Sequence, residues 1–112
     1  MLTKEELPSC PVATTVSLIG NKWKLLILRN LLAKPNRFTE LRKTIPGISQ
    51  KVLTDNLRSM EGDELIVRTV FPEVPPHVEY KLSELGETMR PIIKSMETWG
   101  LGYQDLVKKS AD

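Results

Sequence analysis

The chain is poor in the residues that build cross-linked or metal-bound scaffolds. Its 112 residues include one cysteine, Cys10, and one histidine, His77. A lone cysteine excludes an internal disulfide framework and any all-cysteine metal site within one chain. One histidine beside it does not make a metal site either, and no cofactor is expected. No apolar run approaches the roughly 18 residues that a membrane span requires. Met1 to Pro8 is short and charged, without the apolar stretch of a signal peptide. These absences point to a cytoplasmic protein with no membrane partner.

What is present suits one folded domain spanning 1–112. Hydrophobic residues make up 40% and charged residues 27%, a balance that supports a core and differs from that of disordered chains. The core is modest at this size. Net charge is only +2, but it is unevenly placed. Between Gly20 and Ser59 lie nine basic residues (Lys22, Lys24, Arg29, Lys34, Arg37, Arg42, Lys43, Lys51 and Arg58) and two acidic ones (Glu40 and Asp55). The local balance is +7, which leaves −5 for the rest. A basic segment beside acidic ones is the footprint of a polyanion-binding surface. The plainer alternative is a solvated helical face.

The order of elements is the more specific signal. Cys10-Pro11 opens a helix, since proline suits the first helical position. Gly20 ends it and Asn21 caps the next. That second helix runs to about Ala33, with Trp23, Leu26, Ile27, Leu31 and Leu32 on a wide apolar face. Pro35-Asn36 breaks it. Thr39 is the expected cap of a short helix that turns Leu41 and Ile45 inward. Pro46-Gly47 makes a turn, and Ser49 caps a further helix reaching about Glu61. Residues 65–71 and 78–82 then read as two strands joined by a proline-rich loop, a hairpin. Ser83 caps a final helix, with a kink or restart expected near Arg90 because of Pro91. Gly100 and Gly102 weaken its later part. Three helices followed by a hairpin give an α+β fold, the winged helix-turn-helix, in which the hairpin is the wing.

The helix from Ser49 carries the expected chemistry. At about 100° per residue from Leu53, the residues Leu57, Met60, Asn56 and Val52 fall on one buried arc. Gln50, Lys51, Thr54 and Arg58 fall on an outward stripe at about 60–160°. Those side chains match base edges in the DNA major groove: glutamine pairs with adenine, arginine or lysine with guanine, threonine with several partners. Ser49 adds a hydroxyl at a helix N-terminus, which itself favours a phosphate oxygen. Lys34, Asn36, Arg37 and Lys43 surround the preceding helix and turn, where side chains position a protein through phosphates. The wing is weakly basic. His77 is its one donor near the tip, Glu73 is acidic, and Arg68 and Lys81 flank it on the strands. The alternative for the stripe is the polar outer face of an ordinary amphipathic helix.

Several segments together carry a family resemblance. They are CPV from Cys10, GNKWKLLILRNLL from Gly20, RFTELRKTIPGISQKVLTDNLRSME from Arg37 and FPEVPPHVEYKLSELG from Phe71. On these the chain resembles the HxlR-type regulators of the MarR-like winged-helix group, over about Cys10 to Tyr103. The resemblance implies a homodimeric repressor or activator on a palindromic double-stranded DNA operator, with the Ser49 helix as reader. It also implies dimerisation through the N-terminal segment and the final helix. Independently, Ile92, Met96, Trp99 and Tyr103 give that helix more apolar surface than so small a body covers. Glu64 departs from the family, whose members often have glycine there, and this leaves the helix end near Gly62 open. Cys10 matches a cysteine through which some members sense electrophiles or oxidants. Its place at a helix N-terminus favours a reactive thiol, and a buried packing role at the dimer interface is the alternative. The identity of any effector, small molecule or electrophile, is not readable.

Two other classes of function stand against the regulator. A winged helix can serve as a protein-interaction module, its basic face meeting an acidic partner without reading DNA sequence. A thiol enzyme built on Cys10 would want an adjacent base, and the one histidine lies far along the chain, so no catalytic residue is expected.

Overall fold

A computed structural model describes residues 1–110 of the chain. The first helix, α1, spans Pro11–Ile19 with Cys10 as its N-cap and Pro11 at its first position. Asn21 then caps α2, Lys22–Ala33, its side chain accepting from the Lys24 backbone N–H at 2.9 Å. Both starts follow the sequence expectation.

The chain next makes a strand too short to leave a periodic signal. β1 is only Asn36–Arg37, and it pairs antiparallel with a later strand. It leads directly into α3, Phe38–Thr44. Thr39 is not the cap of this helix. Arg37 holds the cap position, and Glu40 Oε1 accepts from the Arg37 N–H at 2.9 Å. That bond, with the Lys34 ammonium at 3.2 Å, holds the Glu40 carboxyl below the usual carboxylate range.

Gly47 turns the chain with φ +77°, a conformation that glycine adopts freely. Ile48 is buried at the turn. Ser49 caps α4, Gln50–Gly62, its Oγ accepting from the Val52 N–H at 3.1 Å. The end of α4 is a Schellman motif. Leu65 N donates to Met60 O and Glu64 N to Glu61 O, both at 3.0 Å, while Glu64 takes φ +60°. Leu65 and Met60 are both fully buried, the apolar contact that accompanies such an end. The departure at Glu64 therefore leaves the helix end intact, with a side chain where glycine fits better.

β2, Ile66–Phe71, and β3, His77–Leu82, form the wing hairpin, with Ile66 opposite Leu82 and Phe71 opposite His77. The sheet order is β1-β3-β2. Ser83 caps only a short helix, α5, Glu84–Glu87, and the long α6 starts anew at Arg90 and runs to Ser110. The restart falls where Pro91 places it, and α6 continues through Gly100 and Gly102 without a break.

The core is the meeting of α2, α3, α4 and the base of the sheet. Ile27, Leu28, Leu41, Ile45, Leu53, Leu57, Met60 and Leu65 are its most deeply buried side chains. From α1 only Ile19 is buried, and from α6 only Ile93. Met96 and Glu97 still line a hollow with Leu25, Leu26 and Arg29 of α2, and α6 then runs on largely exposed. Ile92, Met96, Trp99, Tyr103 and Leu106 recur every three or four residues along it and are all exposed, the spacing of a coiled-coil seam. Val12 and Val16 of α1 are exposed as well.

Candidate nucleic-acid interface

The outward stripe depends on how α4 is seated. Leu53, Leu57 and Met60 lie in the core at 1% exposure or less. With one face so fixed, Gln50, Lys51 and Arg58 stand exposed on the other, and Thr54 is half-buried beside them. Lys51 is ion-paired within the helix to Asp55 at 2.7 Å, both side chains mostly in solvent. Such an exposed pair is weak, so a phosphate can compete for the ammonium. Arg58 forms no ion pair among the described residues.

Neighbouring elements extend the stripe on both sides. Gln50 shares an open cleft with Phe38, Thr39, Arg42 and Lys43 of α3. Thr54 and Arg58 share another with Glu61, Tyr80 and Arg68 of the wing. Lys43 thus lies beside the stripe, and the structure adds Arg42 and brings Arg68 beside Arg58. The signal for Arg42 was its charge next to Lys43. The signal for Arg68 needed the hairpin register, which sets it opposite Tyr80. Arg37 lies elsewhere, in a hollow between the head of α3 and the wing loop with Phe38, Val74, Pro75 and His77.

Three expected contacts and one basic residue take on other roles. His77 is only 16% exposed, its Nδ1 is 3.2 Å from Glu73 Oε2 and its ring stacks on Phe71 at 4.7 Å. It braces the wing loop and does not project from it. Asn36 is buried and donates to the Lys34 carbonyl at 2.8 Å, which suits a structural amide and not a phosphate contact. Lys34 pairs with Glu40. Lys24, counted in the basic segment, is buried, and its ammonium donates to Ser59 Oγ at 2.9 Å. At the wing tip Val74 is fully exposed next to the exposed Glu73.

Cys10 is exposed at the head of α1. No group of three or more side chains among the described residues could hold a metal ion. No helix among them is long and apolar enough to cross a membrane.

The architecture and sequence match known DNA-binding regulators. The family described as HxlR-like helix-turn-helix matches residues 18–108. The HTH-type transcriptional regulator YdeP of Bacillus subtilis (strain 168) is 44% identical over 107 residues, covering 96% of this chain and 84% of that protein. The redox regulator HypR in its reduced form superposes with a TM-score of 0.83 at 39% identity, covering 89% of this chain and 99% of that one. The reduced form of the transcriptional regulator YodB from B. subtilis gives a TM-score of 0.72 at 39% identity, covering 82% and 91%. The chain belongs to the HxlR-like helix-turn-helix family, and it is a winged helix-turn-helix transcriptional regulator that binds DNA.

Proposed function

We propose that the protein works as a homodimer on a palindromic operator, with α4 of each subunit in a major groove. Gln50, Thr54 and Arg58 read base edges. Lys51, Arg42, Lys43 and Arg37 hold phosphates, and the Ser49 end of α4 points its free N–H groups at another. The observation that carries this reading is the single exposed stripe on a helix whose opposite face is locked in the core. The exposed seam along α6, with the Trp99 and Tyr103 rings stacked at 5.6 Å, supports the dimer. A second copy of the chain gives that apolar surface a partner. The protein then acts in the cytoplasm, where its operator is.

Selection from a randomised duplex library tests the proposal. The wild-type protein is expected to enrich an inverted repeat with half-site centres about 34 Å apart, or a multiple of that. Its mass in solution is expected to be twice the 12.7 kDa of the chain. A monomer that enriches no repeat contradicts both parts.

Cys10 carries the signal in this reading. It is exposed in the single chain, and HypR, which this chain resembles, is a redox regulator. No enzyme chemistry is assigned to the thiol, since the one imidazole is engaged by Glu73 and Phe71 in the wing. Diamide oxidises two thiols to a disulfide and is itself reduced to the hydrazine. It is expected to cross-link two Cys10 residues of a dimer and to change operator affinity. A Cys10→Ser protein that responds to diamide as the wild type does would refute the role.

A further inference from the structure

A polar seam joins α2 to α4 at the rim of their contact, where Asn21 and Ser59 are exposed and Asn56 is half-buried. Lys24 is 9% exposed, and its ammonium donates to Ser59 Oγ at 2.9 Å. None of the ion pairs among the described residues includes it. At the head of the same helix, Asn21 Nδ2 donates to Asn56 Oδ1 at 3.3 Å. Asn56 is itself held by donating to the Val52 carbonyl at 2.8 Å. Two residues three apart on one helix therefore meet two residues three apart on the other, at the same offset of 35 along the chain. Sliding α4 by one residue breaks both bonds.

The seam also fixes rotation. On the wheel that puts Leu53 at zero, Asn56 falls near 300° and Ser59 near 240°, at about 100° per residue. The reading stripe lies across the helix at about 60–160°. The apolar contacts of Leu53, Leu57 and Met60 seat α4, but apolar cores accept repacking and lose uniqueness before stability. Directional hydrogen bonds do not accept it. A rotation of about 10° moves an atom about 6 Å from the helix axis by about 1 Å, enough to lose a bond to a base edge. The stem of Lys24 is buried while its ammonium, at a part-buried site, meets the neutral and exposed Ser59 hydroxyl. Near the C-terminal end of α4 it also faces the negative end of the helix dipole.

We propose that Lys24 and Asn21 are positioning residues for base readout, setting the rotation of α4 and so aiming Gln50, Thr54 and Arg58. This rests on α4 being the DNA reader. The measurement is the ratio of affinities for the duplex enriched by the wild-type protein and for sheared DNA of unrelated sequence. Lys24→Met keeps side-chain length and the packing of the apolar stem while removing the charge. Ser59→Ala removes the partner from the other side. Each is expected to lower the ratio about tenfold, the double variant no further, with affinity for sheared DNA and the melting temperature kept. Ratios within about twofold of wild type in both single variants overturn the proposal, as does a loss that follows melting temperature across the set. A wild-type protein that enriches no sequence overturns the DNA reading and this inference with it.

Discussion

Single residues show where physical reasoning from sequence succeeds and where it stops. Ser49 and Asn21 are legible as caps because a small polar side chain before an apolar periodic run has one favourable use. Thr39 fits the same rule and fails. Its neighbour Glu40 reaches back to the Arg37 N–H, and β1 leads into a helix that starts two residues earlier. Lys24 reads as surface charge because lysine is rarely buried, and only the packing of α4 against α2 reveals its hydroxyl partner. Glu64 is the informative departure. A non-glycine residue in the left-handed region costs about 1–2 kcal/mol, whereas glycine loses about 0.5–1 kcal/mol through backbone entropy. Glu64→Gly is therefore expected to stabilise the protein by about 0.5–1 kcal/mol. Thermal unfolding at fixed protein concentration reads this as a rise of several degrees. An unchanged or lower midpoint would show that the Glu64 side chain contributes more than its backbone costs.

At the scale of elements, long periodic segments were readable and short or paired ones were not. The apolar faces of α2 and α4 and the hairpin strands lie where period and composition put them. β1 has two residues and no period to detect, so the three-stranded sheet emerges only from its pairing with β3. α5 and α6 read as one helix because Ser83 caps the first and the apolar pattern continues into the second. Pro91 marked the break between them. The wing was legible as a weakly basic element, and its packing sharpens that. His77 is used internally, and Arg68 is the strand residue that reaches the α4 side. The outward stripe on α4 was legible almost whole, because the angle between buried and exposed residues on a helix is fixed by 3.6 residues per turn.

For the whole molecule, charge is more localised than a count suggests. Of the nine basic residues between Gly20 and Ser59, Lys24 is buried and Lys34 and Lys51 are paired. Lys22 and Arg29 are exposed on α2, and Arg37, Arg42, Lys43 and Arg58 are exposed around α3 and α4, so most of the remaining exposed positive charge gathers at α4 and the helix before it. The long α6 extends the molecule to 55 Å with its apolar seam bare, which links the two halves of the proposal: one end is proposed to read DNA and the other to recruit a second reader. Affinity for the selected operator and for each of its single base-pair variants, measured for wild type and Arg58→Ala, tests that account most directly. The substitution is expected to cost about 1–3 kcal/mol on the operator and to erase discrimination at one position per half-site, leaving the others intact. Equal weakening on every sequence, or none, would contradict the placement of Arg58 against a base edge.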